Sequence, residues 1–171
     1  MNDTIHLIAT GGTIDSVFHA PKEGSLVKEK TGLPNFLNTV VMPHFNIKTT
    51  QLCMVDSGDI TDDHRGQMVR IIQDEPEHKF LITHGTNTMT ETLSYLDKEL
   101  SSTQKTVILT GSMIPLEGFS PTDSGFNLGY AIAHLEHLTS GVYLAMNGKL
   151  FKNNEVKRNF QIARFEHKEA S

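Results

Sequence analysis

Two threonines, each directly behind a glycine, are the residues of this chain whose type and setting best suit chemistry: Thr13 in Thr10-Gly11-Gly12-Thr13 and Thr86 in Thr83-His84-Gly85-Thr86. A threonine hydroxyl is a weak nucleophile, so it needs a neighbouring base and hydrogen-bond donors aimed at the charge that develops when it attacks. Both positions promise such donors. The apolar run Phe80-Leu81-Ile82 stops at a glycine, and apolar residues then recur at Met89, Leu93, Leu96 and Leu100. The period changes there from strand to helix, and the unpaired amides of a helix start can face an anion. Ile5-His6-Leu7-Ile8-Ala9 precedes Gly11-Gly12 in the same manner, with glycines that let backbone come close to a ligand.

Those tips must be positioned by a regular scaffold. Strands are expected over about 4–10, 46–52, 79–83, 105–110 and 141–146, with helices from about 33, 61, 88 and 123 between them. In the second helix Thr61 is the cap and Met68, Val69, Ile71 and Ile72 are the buried face. The first helix starts at Leu33-Pro34 with Phe36, Leu37, Val40 and Val41 facing inward, and the fourth carries Leu128, Ala131, Ile132, Leu135 and Leu138. Alternating strands and helices predict an α/β fold, a parallel flavodoxin-like sheet with helices on both faces and strand order 2-1-3-4-5. Ligands bind such sheets outside the carboxyl ends of the strands, at the crevice between strands one and three. Thr13 and Thr86 fall on its two walls, with Ser57 beside them after strand two.

The chain of 171 residues suits one domain spanning 1–171. Asp15 to Gly32 is longer than an ordinary connection, shows no sustained period and leaves from the Thr13 turn, which marks it as a lid. Asn147 to Phe165 reads as a C-terminal hairpin turning near Asn153-Asn154, and Glu166 to Ser171 as a frayed tail. A formal charge of −5 leaves no basic stripe for nucleic acid. No apolar run reaches the roughly 18 residues a membrane span needs, and the default expectation is a cytoplasmic protein. The single cysteine, Cys53, reads as a small buried residue. Gly11-Gly12 lacks the G-x-G-x-x-G spacing and the lysine of nucleotide loops. His134 and His137 have no third ligand in register and read as a solvated rim rather than a metal site. His84 either fixes its turn or touches substrate. Lys149, Lys152, Lys157, Arg158 and Arg164 form a basic edge that discourages strand addition.

Ile8-Ala9-Thr10-Gly11-Gly12-Thr13-Ile14 and Thr83-His84-Gly85-Thr86-Asn87-Thr88-Met89 resemble the two signature segments of the bacterial-type L-asparaginases. Val55-Asp56-Ser57-Gly58-Asp59 resembles their substrate-carboxylate loop, and Leu109–Pro115 and Thr122–Leu128 match further segments. The likeness runs over nearly the whole chain but covers only the amino-terminal domain of the usual two-domain enzyme, as in a short-chain asparaginase.

The resemblance implies a threonine amidohydrolase that needs neither metal nor organic cofactor and takes a small substrate, asparagine or a related amide. Thr13 would attack the carboxamide and Thr86 would position or activate water, although members differ over which threonine does which step. Gly12 and Gly85 would offer backbone to the oxyanion, and Asp56, Ser57 and Gly58 would hold the substrate. The family has an aspartate at Asn87, where it binds the α-ammonium. The family lysine falls at Arg158, or at Lys157 if the hairpin shifts by one. The lid, which supplies a tyrosine in the family, has Phe18 and His19 here, with His19 available for proton transfer. Asp15 stands where the family has a small residue, and the half-length chain points to a homodimer.

Overall fold

The computed structural model describes residues 4–168. In chain order its strands and helices are β1 (Thr4–Gly11), β2 (Ser16–His19), β3 (Gly24–Val27), α1 (Leu33–Asn35), β4 (Asn46–Val55), α2 (Asp62–Asp74) and β5 (Lys79–Thr83). There follow α3 (Met89–Glu99), β6 (Thr106–Thr110), α4 (Ser124–Leu135), β7 (Gly141–Met146), β8 (Lys149–Phe151), β9 (Val156–Asn159) and β10 (Arg164–His167).

The central sheet runs β4-β1-β5-β6-β7-β8. Its first five strands are parallel and keep the expected order, while β8 adds an antiparallel edge against β7. Alternation along the strands divides the core in two. Ile8, Phe80, Ile82, Val107, Leu109 and Leu144 turn to the face covered by α2 and α3. Ile5, Leu7, Leu81, Ile108, Tyr143 and Ala145 turn to the face covered by α1 and α4. At about 25 cal/mol per Å² of apolar surface removed from water, these two layers are the main source of stability. Thr61 caps α2 as its sequence promised. Its hydroxyl accepts from the His64 amide at 3.4 Å while His64 Nδ1 accepts from the Thr61 amide at 3.2 Å.

Four expectations need correction. Residues 15–32 are not irregular: β2 and β3 pair into an antiparallel hairpin. Its base is fastened by Asp15, whose carboxylate accepts from Thr31 Oγ1 at 2.8 Å and from the Gly32 amide at 2.9 Å. Val40 and Val41 do not face inward but are 65% and 47% exposed. After Asn35 the chain widens into a π-turn over Phe36–Val41, so the α-period fails and Leu33 and Leu37 alone are fully buried. The stretch 147–165 is not one hairpin. Asn147-Gly148, both at positive φ (55° and 70°), make a two-residue turn that returns the chain as β8 beside β7. A separate hairpin then pairs β9 with β10, its turn falling after Asn159 rather than at Asn153-Asn154. Glu166 and His167 belong to β10 instead of a frayed tail, and the last three residues of that expected tail lie outside the described residues.

Candidate functional site

At the carboxyl ends of β1, β4 and β5 three backbones meet without room for side chains. A Cβ on Gly12, which has φ +73°, would lie 2.4 Å from the Cα and N of Gly85. A Cβ on Gly85 would lie 2.7 Å from Ser57 Cβ. Real Cβ atoms do not approach so closely, so only glycine allows the tips carrying Thr13, Thr86 and Ser57 to touch. Further bonds hold them together. Thr10 Oγ1 donates to the Thr83 carbonyl at 2.8 Å, and the Gly12 amide donates to Val55 O at 2.9 Å. The Asn87 amide donates to Ser57 Oγ at 3.2 Å, and Thr88 Oγ1 donates to Ser57 O at 2.6 Å.

Thr13 opens a short 3-10 turn, Thr13–Asp15, and lines a cavity of about 320 Å³ with Ser16, Leu26, Val27, Asp56 and Asp59. The hairpin β2–β3 forms one wall of that cavity through Ser16, Ser25, Leu26 and Val27. Phe18 and His19 line none of it. Phe18 is 61% exposed, and His19 Nδ1 is buried without a partner. Thr86 is largely buried and lies three residues before α3, in a bend rather than on the helix start itself. Among the described residues neither the Thr13 nor the Thr86 hydroxyl is hydrogen-bonded by protein, and neither belongs to the enclosed, partnerless atoms. Gly58 has open space where a Cβ would stand, and Asp56 Oδ1 accepts from its amide at 3.3 Å.

His84 fixes its turn. Arg65 can only donate, so its Nε–H gives to Thr92 Oγ1 (3.0 Å), and Thr92 passes its own proton to His84 Nε2 (2.9 Å). Nδ1 is then the donor to the Gly85 carbonyl (2.7 Å). Burial drives His84 down to about 4, with the Arg65 charge adding to the fall against the raising effect of the Gly85 bond. The imidazole is therefore neutral at pH 7 and serves as a strut under Gly85.

Of the two basic residues named for the family lysine, Arg158 turns toward Asn87 and Lys157 is exposed. Arg158 Nη1 donates to Asn87 Oδ1 at 2.6 Å, and the guanidinium lies 4.7 Å from the Phe160 ring. Burial pulls Arg158 below its ordinary value, yet a guanidinium remains protonated and cannot act as a base. Arg158, Lys157 and Asn87 share a second opening of about 400 Å³ with Glu91, Ser94 and Lys168.

Sequence reasoning passed over Ser16 as a cavity residue, and also Asp123. Ser16 donates to Gly12 O at 3.0 Å; the Asp123 carboxylate accepts from the amides of Met113 (3.0 Å) and Ile114 (2.9 Å), setting the loop after β6. The local signal was an aspartate at a helix start whose side chain caps no amide of its own helix, accepting instead from the neighbouring loop and from Asn127 Nδ2 at 2.9 Å. Cys53 is only partly buried, and burial raises its thiol to about 11, which makes it inert.

Residues 4–166 match the family described as Asparaginase, N-terminal. The chain belongs to the asparaginase family. L-asparaginase 2 of Escherichia coli K12 is 30% identical over 161 residues, 90% of this chain and 46% of that protein. L-asparaginase 1 of the same organism is 31% identical over 163 residues, 91% and 47%. The chain thus spans about half the length of these asparaginases. L-asparaginase I from Vibrio cholerae superposes with a TM-score of 0.78 at 24% identity, covering 98% of this chain and 52% of that one, and shares the fold. A probable cytoplasmic L-asparaginase from Campylobacter jejuni gives 0.72 at 26% identity, covering 91% and 48%. A relative from Haemophilus influenzae, 32% identical over 166 residues, 90% of this chain and 46% of that protein, is named a probable periplasmic L-asparaginase. Among the described residues no helix is long and apolar enough to cross a membrane.

Proposed function

We propose that the chain is a threonine amidohydrolase acting on asparagine or a close amide. The reading rests on the Gly12–Gly85 contact, which joins the strand tips carrying two unpaired hydroxyls. Thr13 Oγ1 attacks the carboxamide carbon, and backbone amides at the two turns stabilise the oxyanion. The C–N bond breaks, ammonia leaves with the proton given up by Thr13, and an acyl ester remains on Thr13. Thr86 orients the water that hydrolyses the ester to aspartate and restores the hydroxyl. Ser57 and the amides of its loop receive the substrate carboxylate. Asp56 and Asp59, which line the Thr13 cavity, carry negative charge suited to the α-ammonium in place of the aspartate that Asn87 replaces. Arg158 orients the Asn87 amide as a positioning residue. A homodimer belongs to this reading, and sedimentation-equilibrium or light-scattering mass tests it.

A second reading draws on one observation: the Asn87 oxygen is already engaged by Arg158 at 2.6 Å, leaving it poorly placed to receive an ammonium. A pocket of that kind binds a small amino acid without turning it over. Ammonia release from asparagine and glutamine, measured beside calorimetric binding, separates the two. Binding with no ammonia at millimolar substrate supports the second. Asn87→Asp adds a charged partner worth about 1.5–3 kcal/mol to a bound ammonium, so the Michaelis constant should fall by roughly one to two decades. An unchanged constant in an active variant counts against this account of the α-ammonium.

A further inference from the structure

We propose that His6, Glu75 and Glu77 form a binding site for a divalent transition-metal cation of the zinc class, with the Lys48 ammonium as the competing occupant. The site lies near the amino-terminal ends of the parallel strands. It is about 20 Å from the threonine-bearing tips by the rise of β1, and it is independent of the amidohydrolase reading.

His6 is on β1, in register with Lys48 of β4 on one side and Phe80 of β5 on the other, and its ring stacks on Phe80 at 5.2 Å. Above it, α2 ends at Asp74 and the connection to β5 passes through Glu75 and Glu77. That connection is held in place by Lys105, whose ammonium is hydrogen-bonded to the carbonyls of Ile72, Gln73 and Glu75. The backbone that carries Glu75 is thus held by contacts that do not depend on the cation.

The imidazole itself carries the argument. His6 is fully buried, and its Nε2 is paired with Thr50 Oγ1 at 2.8 Å. Its Nδ1 has no hydrogen-bond partner, yet it lies 3.4 Å from Glu77 Oε2. In the tautomer that gives Nε2–H to Thr50, Nδ1 presents its lone pair to that carboxylate, and a cation between them satisfies both. Bonds of about 2.05 Å at a tetrahedral angle put two ligands of one zinc ion about 3.3 Å apart, which is the separation seen. One oxygen of each carboxylate and His6 Nδ1 all lie within 4.8 Å of one another. An imidazole nitrogen with two carboxylates suits zinc-class ions, whereas calcium and magnesium prefer oxygen alone. The Thr50 bond supplies the second contact that orients a metal-binding histidine.

Lys48 reaches Glu75 at 2.5 Å and Glu77 at 3.4 Å, which shows that the carboxylate pair attracts a cation. Its side chain is 39% exposed, so a divalent ion must displace only a partly solvated ammonium.

The test is titration of chelator-treated protein with Co²⁺, read by visible ligand-field absorption, with Zn²⁺ as displacer. The expected result is one site per chain with the intense absorption of a tetrahedral ion. Lys48→Met should tighten binding several-fold, and Glu77→Gln should weaken it by about tenfold or more. Far-UV circular dichroism confirms that each variant is folded. Absence of the tetrahedral band from both the parent and Lys48→Met overturns the proposal. So does a band of undiminished affinity in Glu77→Gln, which would assign the metal to histidines elsewhere.

Discussion

His84 offers a test that needs no substrate. Its imidazole titrates near 6.5 in an unfolded chain and at about 4 in the fold, because it is enclosed and committed as a neutral strut between Thr92 and Gly85. Between those values the unfolded chain binds a proton that the native protein refuses, so stability falls as the pH drops through that window. The full cost is about 3 kcal/mol, reached below pH 4, and about 2 kcal/mol of it should be lost between pH 7 and pH 5. In a domain of ordinary stability that is a large share. His84→Gln cannot titrate. It should be less stable than the parent at pH 7, where it lacks the fitted ring, and should then lose about 2 kcal/mol less on acidification. Urea unfolding at pH 7, 6 and 5 gives both quantities, followed by circular dichroism since the chain has no tryptophan. Carboxylates and the other histidines are common to both proteins, so subtraction removes them. Parallel pH profiles for parent and variant would refute the reasoning, because His84 would then gain or lose no proton on folding.

Gly85→Ala forces a Cβ to 2.7 Å from Ser57 Cβ. It should cost about 1–3 kcal/mol in a melt and abolish turnover even where the fold survives. Asp15→Ala removes the acceptor for Gly32 N and Thr31 Oγ1. A loss of about 1–3 kcal/mol is expected, together with faster amide exchange across β2 and β3 while the sheet strands keep their protection. Arg158→Lys keeps a charge but loses the fork that donates to Asn87 at 2.6 Å. Its turnover should fall more than its stability, which steady-state kinetics beside a melt will show, and an equal fall in both would make Arg158 a packing residue.

The sheet was legible because parallel strands covered on both faces leave short apolar runs, and 79–83 and 141–146 fell where they were expected. The close approach of Gly12 to Gly85 was legible for a related reason: glycines at strand tips let backbone come close. What escaped notice was local geometry. Asn147-Gly148 is a strong two-residue turn signal that announces β8, but Asn153-Asn154 offers a competing signal that favours one longer hairpin. Val40 and Val41 were misassigned because a helical period was assumed past Asn35, where the backbone widens. Asp15 looked like a mere departure from a small residue. Its part in fastening the hairpin depends on Thr31 and Gly32 returning to it in space, which no window of sequence displays.

The meeting of Gly12, Gly85 and Ser57 draws on segments far apart along the chain and tolerates no partial version of itself. β1 must already lie between β4 and β5 before any of the three can find the others, so the pocket is among the last features to be completed as the chain folds. Recovery of ligand binding during refolding should therefore trail recovery of the sheet, making occupancy of this pocket a sensitive report that the entire molecule has arrived.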